Sequence, residues 1–103
     1  MVKAFRMNVF EGFELEYQKR HDKIWTDLKK LLKEYGISNY RIFLDKENLA
    51  LFAFFEVDDE ARLENLPQEE VMKRWWAFMS DIMPTNADNS PKTYDLKEVF
   101  YLA

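Results

Sequence analysis

Apolar positions recur along this chain with two different periods, and each switch between them marks a new element. Residues 2 to 9, VKAFRMNV, alternate. Lys3, Phe5, Met7 and Val9 share one side and Val2, Ala4, Arg6 and Asn8 the other, the two-residue period of a strand. From about residue 11 the period lengthens. At roughly 100° per residue, Phe13, Tyr17, His21, Ile24, Leu28, Leu31, Leu32 and Tyr35 fall within about 100° of one another, while Glu16, Lys19, Lys23, Lys30, Lys33 and Glu34 point elsewhere. The pattern predicts a helix from about residue 11 to Tyr35, closed by Gly36, a residue that ends helices by taking positive φ. A second strand is expected near residues 37 to 45. The polar stretch Asp45, Lys46, Glu47, Asn48 then connects it to a third strand, LALFAFFEV, so the two form an antiparallel hairpin.

That third strand is apolar on both sides. Leu49, Leu51, Ala53, Phe55 and Val57 share one face, Ala50, Phe52 and Phe54 the other, so it should be covered twice. Asp58 to Leu66 is expected as a short helix broken at Pro67, and a longer helix spans roughly Glu69 to Met83, with Val71, Met72, Trp75, Phe78, Met79 and Ile82 as its stripe. PTNADNSPK, residues 84 to 92, reads as an ordered irregular loop, and TYDLKEVFYL as a last strand. The order β, α, β, β, α, β predicts an α+β class, ferredoxin-like domain over residues 1–103, with both helical segments on one face of an antiparallel sheet. One layer of helices cannot cover both sides of the third strand. Two subunits packing sheet against sheet, the dimeric α/β barrel arrangement, would cover the other.

Composition adds three constraints. Aromatic residues make up 17% of the chain, with nine Phe, five Tyr and three Trp, more flat apolar surface than so small a core needs, which points to an interface or a lined pocket. The net charge of −4, with both signs interspersed, gives no basic stripe for a phosphate backbone, so no nucleic-acid partner is expected. With no cysteine there is no disulfide or thiolate chemistry, and the single histidine makes a metal site unexpected. No apolar run spans a membrane and charges interrupt the N-terminal stretch, so neither a membrane association nor a signal peptide is expected, and the protein reads as cytoplasmic.

His21 is the one feature that does not belong to a plain core stripe. A titratable imidazole sits on the apolar face with Tyr17 four residues earlier, a candidate acid/base pair. Trp75 and Trp76, adjacent on the second helix, cannot both point straight into the core. Trp75 lies near the stripe centre and Trp76 at its margin, where they could wall a cleft with Tyr17, His21 and Tyr40 and take the C–H faces of a sugar ring. Spacing alone leaves a core reading open for each of these residues. Asn86, Asp88 and Asn89 read as turn formers, and Asp22 and Asp27 as solvated.

The segments EYQKRHDKIWTDL, NYRIFLDKENLALFAFFEV, RWWAFMSDIMPTNADNSP and LKEVFYL together resemble the L-rhamnose mutarotase family, over essentially the whole chain. The resemblance implies a cytosolic, cofactor-free homodimer that interconverts the α and β anomers of L-rhamnose by acid/base-catalysed pyranose ring opening and reclosure. His21 matches the family's proton-donor position, and Tyr17, Tyr40, Trp75 and Trp76 its substrate-binding positions. ARLENLPQEE departs from the pattern without touching any of the five. On this reading protonated His21 delivers a proton to the ring oxygen while Tyr17 or an ordered water handles the anomeric proton. The alternatives are a cofactor-free monooxygenase on the same dimeric barrel, and a non-enzymatic sugar-binding or dimeric interaction module.

Overall fold

The structure, a computed structural model, describes residues 1–103. Strand β1 (Val2–Asn8) leads into helices α1 (Glu14–Asp22) and α2 (Thr26–Glu34), followed by β2 (Ile37–Asp45) and β3 (Ala50–Val57). A 3₁₀ segment (Glu60–Gln68), helix α3 (Glu70–Met79) and a two-residue strand β4 (Tyr94–Asp95) complete the order. The four strands are antiparallel in the order β2-β3-β1-β4, the ferredoxin-like arrangement expected from the sequence. The helices cover one face. Leu51, Ala53, Phe55 and Val57 of β3 and Met7 and Val9 of the first strand region are buried beneath Leu28, Leu31, Met72, Trp75 and Met79.

Four elements differ from expectation. The predicted single helix from residue 11 to 35 is two helices. Trp25 turns extended (φ −60°, ψ 137°), and its indole packs against Trp75 (ring centroids 5.1 Å) and Phe78 (5.5 Å). The segment after Asp58 is a 3₁₀ helix that carries Pro67 inside it rather than breaking at it, and α3 ends at Met79, short of Met83. The last strand shrinks to Tyr94–Asp95 plus one further bond, Leu96 N–H to the Ala4 carbonyl. Beyond it the chain from Val99 to Leu102 lies exposed. Gly36 closes α2 with φ +77°, as its position implied.

A bulge in β2 decides which way Tyr40 faces. Ser38 pairs with Glu56 and Arg41 with Phe54, so Asn39 and Tyr40 together oppose the single residue Phe55. Asn39 supplies the extra residue at φ +50°, a conformation asparagine tolerates better than most residues, and its Nδ2 hydrogen-bonds the Glu56 carboxylate. The inserted residue reverses the side-chain alternation. Tyr40 therefore joins Ile42 and Leu44 on the helix-covered face and stacks on Phe55 (5.0 Å, 23°). Replacing Asn39 by valine is expected to cost about 1–2 kcal/mol in urea unfolding, and by glycine considerably less, because glycine accepts the positive φ.

The opposite sheet face carries Phe43, Phe52, Phe54 and Tyr94. Phe43 and Phe54 stack (5.7 Å), and the Arg6 guanidinium lies over Tyr94 (4.3 Å). In the single chain this face is open, with Phe43 54% and Tyr94 50% exposed.

Candidate functional site

A groove of about 1240 Å³ runs between the helices and the sheet, roomier than the roughly 300–1,000 Å³ usual for small-molecule pockets. All five residues singled out in the sequence line it: Tyr17 and His21 from α1, Tyr40 from the β2 bulge, and Trp75 and Trp76 from α3. Trp75 is buried and Trp76 half-buried, in keeping with their places at the centre and margin of the helical stripe. Tyr40 leaves 40% of its surface reachable, as a ring lining an open cleft does.

His21 is held on three sides. Its ring stacks on Tyr17 (4.4 Å, 24°) and meets Trp75 edge to face (5.4 Å, 88°), and Nδ1 lies 3.0 Å from the Tyr17 carbonyl oxygen. A carbonyl can only accept, so Nδ1 carries the proton and donates it. Nε2 makes no hydrogen bond to the protein. Every side-chain nitrogen or oxygen sealed inside the chain has a partner, so Nε2 is not sealed off, on a residue that lines the groove. The same reasoning applies to the Tyr17 hydroxyl and the Trp75 indole N–H, both on buried residues without protein partners.

Burial sets the protonation of these groups. It holds the His21 imidazole below its ordinary value, against the opposing pull of its bond to the Tyr17 backbone and of the Asp22 charge. Burial also pushes the Tyr17 and Tyr40 phenols well above the usual range, and the proximity of Tyr40 raises Tyr17 further. Burial thus favours the neutral forms of the imidazole and of both phenols.

Two supporting residues escaped the sequence reading. Arg20, beside His21, bonds Glu16 (2.8 Å), Asp81 (2.9 Å) and the Phe78 carbonyl (2.7 Å) and lies over the Phe78 ring (4.3 Å), tying α1 to the end of α3. The Asp81 carboxylate raises its already high affinity for a proton. Trp25 backs Trp75 from the break between α1 and α2. The signals were thin: an arginine at a helix margin, and a third tryptophan next to a threonine that could open a helix. Asn86, Asp88 and Ser90 bond to one another within the 84–92 loop, which leaves the asparagine cluster as turn structure. Asp27 pairs loosely with Arg74 at 3.4 Å on the surface, and Asp22 is exposed at the groove. No group of three or more His, Asp or Glu side chains is arranged to hold a metal, and no helix is long and apolar enough to cross a membrane.

Comparison with known proteins supplies the context for this geometry. A family model described as L-rhamnose mutarotase matches residues 3–102. The curated L-rhamnose mutarotase of Lachnoclostridium phytofermentans is 50% identical over 100 residues, covering 97% of this chain and 96% of its own. The crystal structure of the L-rhamnose mutarotase from Formosa agariphila superposes with a TM-score of 0.92 at 45% identity, covering 100% of this chain and 99% of that one. An antibiotic biosynthesis monooxygenase superposes with a TM-score of 0.62 at 14% identity, over 96% of this chain and 99% of its own, a likeness of fold alone.

Proposed function

The chain belongs to the L-rhamnose mutarotase family, and from that premise we propose that it interconverts the α and β anomers of L-rhamnose in the groove bearing His21. Mutarotation needs a proton delivered to the ring oxygen and one removed from the anomeric hydroxyl. The pyranose opens to the aldehyde, the C1–C2 bond turns, and the ring closes on the other carbonyl face. An acid and a base held at hydrogen-bonding distance suffice. The observation that carries this reading is the convergence of one imidazole, two phenols and two indoles on a single groove. His21 and Tyr17 are the proton carriers. Trp75 and Trp76 offer flat walls to the sugar's C–H faces, while Tyr40 and the indole N–H groups orient its hydroxyls. The methyl that replaces a 6-hydroxyl in rhamnose finds an apolar lining in the same groove.

The working unit is a homodimer joined through the open sheet face, where stacked aromatics otherwise meet water, and the compartment is the cytoplasm, in keeping with a cysteine-free chain. The monooxygenase reading has only the shared fold behind it.

Saturation-transfer NMR on equilibrated L-rhamnose tests the assignment. Added protein should speed exchange between the two anomeric proton signals in proportion to its concentration. Exchange that stays at the protein-free rate rules out the mutarotase reading.

A further inference from the structure

We infer that Arg20 is a positioning residue for the proposed reaction, clamping the helix that carries Tyr17 and His21 at a fixed place against the end of the helix that carries the tryptophan wall. The assignment rests on the mutarotase reading and adds to it a residue that does not itself line the groove.

Burial alone holds α1 poorly. Of its nine residues only Tyr17 is buried, and Leu15, its other large apolar side chain, is 82% exposed. The backbone leaves helical geometry on either side of it. Gly12 precedes it at φ +89°, and Trp25 follows it in an extended conformation. The Phe10 N–H bonds the Ile82 carbonyl (2.9 Å), but that tie lies on the far side of Gly12. The Glu14 carboxylate accepts the Gly12 N–H and His21 bonds the carbonyl of Tyr17, so among the side chains of α1 Arg20 alone hydrogen-bonds another element. An element with so few buried contacts can move without the core unfolding.

The guanidinium joins three acceptors. Nη1 donates to the Phe78 carbonyl (2.7 Å) and to Asp81 Oδ1 (2.9 Å), Nη2 to Asp81 Oδ2 (3.3 Å), and Nε to Glu16 of its own helix (2.8 Å). The Phe78 carbonyl is free to accept because α3 ends one residue later and no backbone N–H reaches it, and a cation there also meets the negative end of the helix dipole. Phe78 and Trp75 are one turn apart on α3, and Arg20 and His21 are adjacent on α1. The clamp between residues 20 and 78 and the edge-to-face contact of His21 with Trp75 (5.4 Å, 88°) are therefore neighbouring rungs between the same two helices. Residue 21 lies about 1.5 Å along the axis and about 100° around it from residue 20, so fixing Arg20 fixes both the height of the imidazole and the direction in which it points. The Arg20 side chain is 12% exposed, while Glu16 and Asp81 are 41% and 65% exposed. Removing the arginine leaves two solvated carboxylates rather than a buried charge, which the fold should survive. A lysine would keep the charge but not the fork that grips carbonyl and carboxylate together.

Arg20→Ala and Arg20→Lys test the clamp, with Arg62→Ala as the comparison. Arg62 likewise donates to a carbonyl at the end of a helix, that of Glu34 (2.9 Å), and lies over an aromatic ring, Tyr35 (5.2 Å), but it ties α2 to the 3₁₀ segment and leaves α1 alone. In saturation transfer, Arg20→Ala should lower kcat about 10- to 100-fold, the scale of a misplacement of about an ångström. KM should stay nearly unchanged, because Tyr40, Trp75 and Trp76 stand on the sheet and on the well-buried α3. Arg20→Lys should show the same change in smaller measure, and it serves if the alanine variant does not fold. Arg62→Ala should lower the unfolding temperature and keep the wild-type kcat. The only histidine gives a second readout that needs no turnover. The ring-proton resonances of His21, shifted by the rings of Tyr17 and Trp75, should move toward those of an unstructured peptide in Arg20→Ala and stay in place in Arg62→Ala. Unmoved His21 resonances in Arg20→Ala overturn the assignment, as does a loss confined to KM, or a loss of kcat in Arg62→Ala equal to that in Arg20→Ala. Wild-type protein that does not speed exchange at all defeats the mutarotase reading, while the resonances still report on the clamp, so the two failures stay apart.

Discussion

His21→Ala should lose most of the enzyme's acceleration of anomer exchange, on the order of 10²–10⁴-fold in kcat, while the chain stays folded. The loss is large because the imidazole is the one group of the cluster suited to give and take a proton near neutral pH. Truncation also removes the ring on which Tyr17 stacks and the edge that meets Trp75. The fold should tolerate the change, because the fully buried side chains of the core, Leu28, Leu51, Val57 and Ile82, lie elsewhere. Saturation transfer gives the rate, and near-UV circular dichroism checks that the aromatic packing persists. Free imidazole supplied to the variant should restore part of the rate by occupying the vacated space beside Tyr17. A variant that exchanges anomers as fast as the wild type would remove His21 from the chemistry.

Phe52→Asp should weaken the sheet-to-sheet dimer about 30- to 1,000-fold, equivalent to roughly 2–4 kcal/mol, the range of a central aromatic anchor. Phe52 lies between Arg6 and Phe43 across the strands, in the middle of the open face. An aspartate there would have to be desolvated on association. In the isolated subunit the same position is only 36% exposed, so the substitution also costs the monomer about 1–2 kcal/mol of lost Phe burial and strand preference, which urea unfolding reads separately. Sedimentation velocity across a dilution series separates these effects. Wild-type protein that sediments as a monomer at every concentration would remove the dimer from the proposal.

Much of this was legible in the chain because it depended on local rules. The alternation in VKAFRMNV, the polar connection before LALFAFFEV and the glycine after Tyr35 each determine their own element. The five groove residues were likewise found by helical spacing and by resemblance. What escaped depended on partners distant in sequence. The break at Trp25 gives up helical hydrogen bonds for contact with Trp75 and Phe78, some fifty residues away, and no periodicity within the helix announces it. The last strand pairs with β1 only at Tyr94 and Asp95, at the other end of the chain from its partner. The lowered proton affinity of His21 comes from burial that only the packed fold supplies, against the pull of a bond to its own helix backbone. Tyr40 is the most instructive case. Simple alternation from the buried Ile37 would have turned it away from the groove, and the single residue Asn39 turns it back.

Strand β3 carries a consequence of its own. Phe54 stacks with Phe43 on the open face and Phe55 with Tyr40 in the groove, so consecutive residues read opposite surfaces of the sheet. Assembly and sugar occupancy are separated by the thickness of one polypeptide strand. Such an arrangement makes them candidates for thermodynamic linkage, in which any free energy that rhamnose gains from the paired state is returned, in equal measure, as added affinity between the subunits.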